Sequence, residues 1–197
     1  MPFELITGPM YCGKTSELKR RIDIEMAIER NIRLYKPSID KRYSIDHISA
    51  HSGGKLKALP VESIEDIIKD LDDKVEVIGI DEIQFLFGNV LDFCRSYQRN
   101  PKVRLIASGL NLDFRGESFP LRDGTRHMGD LMPYARLTPL MAKCIYQTNG
   151  KRCGKDAEFS QRLIDGKPAP YDSPLVLVGS MEHYEARCDE HHLVPRR

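Results

Sequence analysis

Residues 8–15 read GPMYCGKT, a G-x-x-x-x-G-K-T spacing that suits a loop wrapped around phosphates. Gly8 and Gly13 permit a close turn, Lys14 is long enough to reach the β and γ phosphates, and the Thr15 hydroxyl can ligate Mg²⁺. Such a loop grips a donor but needs an acidic partner on a neighbouring strand. VEVIGIDE (75–82) supplies Asp81 and Glu82 at the end of an apolar run. Asp81 would serve the metal, directly or one ligand removed, which leaves Glu82 as a general base or to orient a nucleophile. A third group lies downstream: Cys144, Cys153 and Cys188, with His191 and His192. Cys188-x-x-His191 is a good zinc half-site, whereas eight residues separate Cys144 from Cys153, a wide spacing for the other half. A turn at Thr148-Asn149-Gly150 would let that longer loop double back at little extra closure entropy. Cys144, Cys153, Cys188 and His191 are therefore the expected ligands, with His192 a rival to His191. The competing reading is that the sulfurs are buried apolar packing.

These groups need a frame. FELIT (3–7) reads as a buried strand leading into the loop. From Lys14, Leu18, Ile22 and Met26 recur every four residues, the stripe of an amphipathic helix, with Arg21 and Glu25 on another face. The free N–H groups and dipole at that helix start favour an anion. IRLYK (32–36), VEVIGID (75–81) and KVRLIAS (102–108) read as further strands; VESIEDIIKDLD (61–72), with Ser63 or Glu62 near its start, and roughly 89–99 read as helices. Strands alternating with helices predict an α/β fold with a parallel sheet, whose ligands bind at the carboxyl ends of the strands. After Ser108 the rhythm breaks. GLNLDFRGESFPLRDG (109–124) is a long irregular segment of the kind that usually carries function. From about Arg136 a second region follows, with three of the cysteines, the turn IDGKPAPYDSP (164–174) and an apolar strand LVLVG (175–179). The expected division is 1–135, a nucleotide-binding α/β domain, and 136–197, a smaller zinc-bearing domain.

Composition narrows the function classes. A chain of 197 residues is enough for one well-buried domain with an appendage. A net charge of +1 gives no broad field for DNA or an anionic membrane. No apolar run approaches the roughly 20 residues needed to span a bilayer. The N-terminus enters FELIT without a leader, so a cytoplasmic location is expected. Five cysteines, an odd number in a reducing compartment, do not suggest a disulfide framework. Neither nucleic acid nor membrane is an expected partner.

GPMYCGKT, KPSIDKRYS (36–44), GIDEIQF (79–85), GLNLDFRGESF (109–119) and MEHYEARC (181–188) stand in the order and spacing of cytosolic-type, zinc-containing thymidine kinases. The resemblance spans about residues 3–195. It implies a P-loop α/β domain plus a small zinc-ribbon domain whose lasso closes over the nucleoside. The implied activity is transfer of the ATP γ-phosphate to the 5′-hydroxyl of thymidine, with deoxyuridine as a further acceptor, in nucleotide salvage for DNA synthesis. Glu82 resembles the base that takes the 5′-hydroxyl proton. Gly8, Pro9, Met10, Tyr11, Cys12, Gly13, Lys14 and Thr15 would surround the donor phosphates, with Asp81 beside Mg²⁺. Asp40 and Arg42 match positions near the metal and the transferring phosphoryl group, where an Arg stabilises spreading charge. Gln84 joins this nucleotide-binding set without an assigned role. Met10, Phe85, Leu110, Phe114, Leu177 and Tyr184 match an apolar box around the base. The resemblance also implies structural Zn²⁺, a homotetramer, and thymidine triphosphate as feedback inhibitor. The chain departs from the family wording at Asn111, where Asp is frequent, and at LFGNVLDF (86–93), which replaces a Pro-containing turn. A different class remains in play: a P-loop NTPase switch with a zinc-stabilised partner-binding module. Such a switch should carry an N-K-x-D base-recognition motif, and the sequence has none.

Overall fold

A computed structural model of the chain describes residues 3–39, 48–49, 55–175 and 183–195. Asp40, Arg42 and Leu177, with most of LVLVG, lie outside the described residues.

Six strands form one parallel sheet in the spatial order Leu59–Val61, Ile32–Pro37, Val77–Ile80, Arg104–Gly109, Phe3–Thr7, Arg136–Pro139. Side chains alternate across the two faces, as the pleat demands. Leu5, Tyr35, Ile78 and Leu105 belong to one apolar cluster, while their neighbours Ile6, Leu34, Val77 and Ile106 belong to another. Helix α1 (Lys14–Ala27) covers the second face through Leu18 and Ile22, as the four-residue stripe predicts. A Cβ at Gly79 would lie 2.6 Å from Leu34 and 3.0 Å from Ile22, so glycine lets this helix come down onto the sheet. Helices α2 (Ile64–Asp70) and α3 (Val90–Tyr97) cover the first face.

The structure redraws several expected elements. Leu59–Val61 is a strand paired with Tyr35–Pro37, so the helix expected from 61 begins only at Ile64. Its start is a reciprocal cap: Ser63 Oγ accepts from the Asp66 N–H at 3.2 Å, and the Asp66 carboxylate accepts from the Ser63 N–H at 3.0 Å. A run of 3₁₀ turns over Met128–Tyr134 has no counterpart in the sequence reading; it buries Met128 and Leu131 in the core. The sixth strand, Arg136–Pro139, lies beyond residue 135 yet pairs with Glu4–Thr7, so the sheet continues into the segment assigned to the second region.

Arg21 and Glu25 do not sit on a solvated helix face. They turn toward the amino ends of the strands, where Glu4 is buried at 2% exposure. Arg21 donates to Glu4 at 2.5 Å, Arg104 donates to Glu4 at 2.6 Å, and Arg104 also pairs with Glu25.

Beyond the sheet, Phe159–Ile164 pairs antiparallel with His183–Arg187 and with Lys167–Pro168, placing Arg162 opposite Tyr184. Two short ladders precede it, one between Ala142–Lys143 and Asp156–Ala157 and one between Gln147–Thr148 and Lys151–Arg152. Asn149 and Gly150 join the latter at φ 51° and 76°, the positive pair a tight hairpin turn requires. Among the described residues no helix is long and apolar enough to cross a membrane.

Candidate active site

The first strand ends at Thr7 and the chain turns back sharply at Gly8. A Cβ at Gly8 would lie 2.3 Å from the Leu140 carbonyl oxygen, so glycine is required by space as well as conformation. Tyr11 and Gly13 adopt φ 65° and 89°, curling the loop, and Gly13 caps α1 without a side-chain hydrogen bond. This leaves a helix N-terminus shaped for an anion. Lys14 is buried at 5% exposure, and its Nζ donates to the Pro9 carbonyl at 2.8 Å, folding the ammonium over the loop. Met10 is held from elsewhere in the chain: its N–H donates to Ser160 Oγ at 2.9 Å. Cys12 packs against the cluster that contains Cys144 and Cys188, so loop 8–15 rests on the downstream module.

Asp81 follows the Val77–Ile80 strand and accepts from Thr15 Oγ1 at 2.9 Å and from Ser108 Oγ. The loop hydroxyl and the strand-end carboxylate are thus already in register. The two acids then diverge. Glu82 takes the left-handed conformation, φ 48° and ψ 49°, which costs a non-glycine residue about 1 kcal/mol or more. It starts the 3₁₀ turn Ile83–Phe85, and its carboxylate accepts from Gln84 Nε2 at 2.5 Å. Gln84, expected among the nucleotide-binding residues, is wholly buried; its Oε1 accepts from the Leu110 N–H at 3.3 Å.

Of the residues expected around a base, Phe85, Leu110 and Phe114 are buried, while Met10 and Tyr184 are half-buried. Phe85 meets Phe119 edge to face with centroids 5.6 Å apart. The Phe114 ring lies against two guanidinium groups, Arg115 at 5.1 Å and Arg162 at 5.2 Å. Arg115 also donates to the carbonyls of Tyr171 and Ser173 at 2.7 and 3.0 Å, and Arg162 donates to that of Pro174. The irregular 109–124 segment is therefore tied to the turn at 164–174. Sequence reasoning missed Ser108, Ser160, Arg115 and Arg162. A hydroxyl ending the apolar run KVRLIAS was a usable signal for Ser108; the others act across the fold and leave no local pattern.

The four expected zinc ligands converge. All their ligand atoms lie within 4.8 Å of one another, with Cys188 Sγ and Cys144 Sγ at 3.3 and 3.6 Å from His191 Nδ1 and Cys153 Sγ at 3.9 Å from Cys188 Sγ. Tetrahedral Zn²⁺ with Zn–S of about 2.3 Å and Zn–N of about 2.0 Å puts neighbouring ligand atoms about 3.5–3.8 Å apart. The donor chemistry fits too. Burial opposes ionisation of Cys144, but the N–H groups of Cys188 and Tyr146 and the His191 ring bring its thiol down to about 7. Burial, then hydrogen bonding to Cys144 and Cys153, pushes the Cys188 thiol up. Sulfurs this close ionise together when a cation lies between them. His192 is separated from this set: Nε2–H donates to the Phe114 carbonyl at 2.9 Å, and the ring stacks on Phe159.

A family model described as thymidine kinase matches residues 1–192. The chain belongs to the thymidine kinase family. The thymidine kinase of Thermococcus kodakarensis is 45% identical over 197 residues, an alignment covering 98% of this chain and 94% of that protein. Thr15 joins Asp81, and Glu82 makes its separate turn, at one edge of the sheet. The switch-module alternative has no comparable support.

Proposed function

We propose that the chain transfers the γ-phosphoryl group of ATP to the 5′-hydroxyl of thymidine, accepting deoxyuridine as well. The observation that carries this reading is the pairing of Thr15 with Asp81, one residue before Glu82, in a chain matched over 1–192 by the thymidine kinase family. The loop 8–15 holds the donor phosphates through backbone N–H groups, and Lys14 exchanges the Pro9 carbonyl for phosphate oxygens. Thr15 and Asp81 would hold Mg²⁺, which when bound neutralises charge on those oxygens. Glu82 takes the proton of the attacking hydroxyl; the alcohol becomes the better nucleophile as the P–O bond forms and ADP leaves. Asp40 and Arg42 complete the donor side, and Met10, Phe85, Leu110, Phe114, Leu177 and Tyr184 enclose the base.

In the same reading, Cys144, Cys153, Cys188 and His191 bind a structural Zn²⁺ that pins the Phe159–Ile164 and His183–Arg187 hairpin beside the site. The division into a nucleotide domain and a zinc-bearing domain, a homotetramer, inhibition by thymidine triphosphate and cytoplasmic residence belong to it as well. ADP release measured with and without thymidine tests the central claim. Release that requires thymidine and matches thymidine monophosphate formed one for one is the expected result. Equal release with water as acceptor would sink it.

A further inference from the structure

We propose that Gln84 is a positioning residue for phosphoryl transfer: its side-chain amide holds the Glu82 carboxylate toward the acceptor hydroxyl and ties it to the 109–124 segment. This rests on the reading of Glu82 as general base.

Three features of the fold support it. Gln84 is wholly buried, where a primary amide must have its donors and acceptor met. Nε2 donates to Glu82 Oε2 at 2.5 Å, and Oε1 accepts from the Leu110 N–H at 3.3 Å. That pair of partners decides which end of the amide is which. Turned over, the oxygen would face a carboxylate and the NH₂ would face a backbone N–H, both repulsive. Next, Glu82 holds a left-handed backbone, and its carboxylate meets Gln84 whereas that of Asp81 meets Thr15. A side chain aimed by strained backbone keeps its direction when a neighbour fixes its far end. Lastly, Gly109 makes room for the amide: a Cβ there would lie 2.5 Å from Gln84 Oε1 and 2.8 Å from Met128 Cε. The strand end, the 3₁₀ turn and the start of the 109–124 segment are joined at this one side chain.

An N–H donated to the Glu82 carboxylate fixes the direction in which it faces the acceptor hydroxyl. Without that donor the carboxylate gains rotational freedom, and a misdirected base slows transfer more than it weakens binding.

The test is steady-state thymidine phosphorylation at saturating ATP, with Gln84→Met and Gln84→Glu. For Gln84→Met, which keeps the length and removes the amide, kcat should drop about 10- to 100-fold. The thymidine KM should stay within about threefold. Gln84→Glu, which keeps the shape and sets a second carboxylate against Glu82, should lose at least as much kcat. Wild-type kcat in both variants would overturn the proposal. So would a loss confined to KM, which would make Gln84 only a prop for the 109–124 segment. Glu82→Gln, assayed beside them, separates the two ideas. Undiminished kcat in that variant removes Glu82 as base, whereas an inactive Glu82→Gln beside normal Gln84 variants removes the positioning role alone.

Discussion

The two ends of the same sheet treat a buried carboxylate in opposite ways. At the amino ends of the strands, Glu4 is met by the guanidinium groups of Arg21 and Arg104, and Arg104 continues to Glu25. At the carboxyl ends, Asp81 is met by the hydroxyls of Thr15 and Ser108, and Glu82 by the amide of Gln84. Guanidinium partners satisfy a carboxylate with charge and lock it in place. Hydroxyls and amides orient a carboxylate through neutral hydrogen bonds. Burial alone therefore says little about a carboxylate; the chemistry of the described partners distinguishes the two ends.

Paired substitutions test that contrast most strongly. Glu82→Gln should lower kcat by roughly 10²–10⁴ with little change in melting temperature, read from steady-state rates and a thermal melt. Glu4→Gln should do the reverse. Arg21 keeps Glu17 and Arg104 keeps Glu25, so losing the charge they share should cost about 1.5–3 kcal/mol in urea denaturation, with kcat per folded molecule preserved. A Glu4→Gln protein that is fully stable but slow would break the comparison.

The next effect concerns the downstream module, whose clustered sulfurs resemble neither end. Purified protein should carry about one zinc per chain by elemental analysis, and Cys188→Ser should lose it along with about 3 kcal/mol of stability. Retained zinc in that variant would dismiss Cys188 as a ligand. Smaller still is Ser160→Ala, which removes the acceptor for the Met10 N–H. A loss of about 1 kcal/mol should appear as a roughly fivefold lower kcat/KM for ATP, with thymidine parameters less affected.

The smallest effect belongs to an exposed pair that should behave unlike either end. Hydrogen bonding to Arg20, reinforced by Arg21 against a burial effect of opposite sign, lowers the Glu17 carboxyl from 4.5 to about 2. Because the folded value is the lower one, the pair's contribution is complete above 4.5 and disappears as pH falls toward 2. Solvent screening limits it, so Glu17→Gln should cost about 0.5 kcal/mol at neutral pH and nothing measurable near pH 2 or in high salt. A difference that persists at low pH would exclude the carboxylate as its source.

Contiguous spacing by itself determined the glycine-rich loop 8–15, the acids ending VEVIGID and the strands with α1 that carry them, because each is a local pattern of glycine, charge or apolar period. It also determined the Cys and His set, despite the irregular Cys144–Cys153 spacing, because a flexible loop leaves ligand types intact. Only the tertiary structure decided that His191 rather than His192 joins the sulfurs, that Arg21 meets the buried Glu4 while Glu25 meets Arg104, and that Arg136–Pro139 closes the sheet. The same holds for Gln84, whose partners depend on a left-handed turn at Glu82 and on a loop 26 residues away, and for Ser160, which reaches Met10 across 150 residues. Such contacts leave no period in the chain. They exist because packing two faces of a sheet brings distant polar groups together, where each must find a partner or lose the hydrogen bonds it had with water.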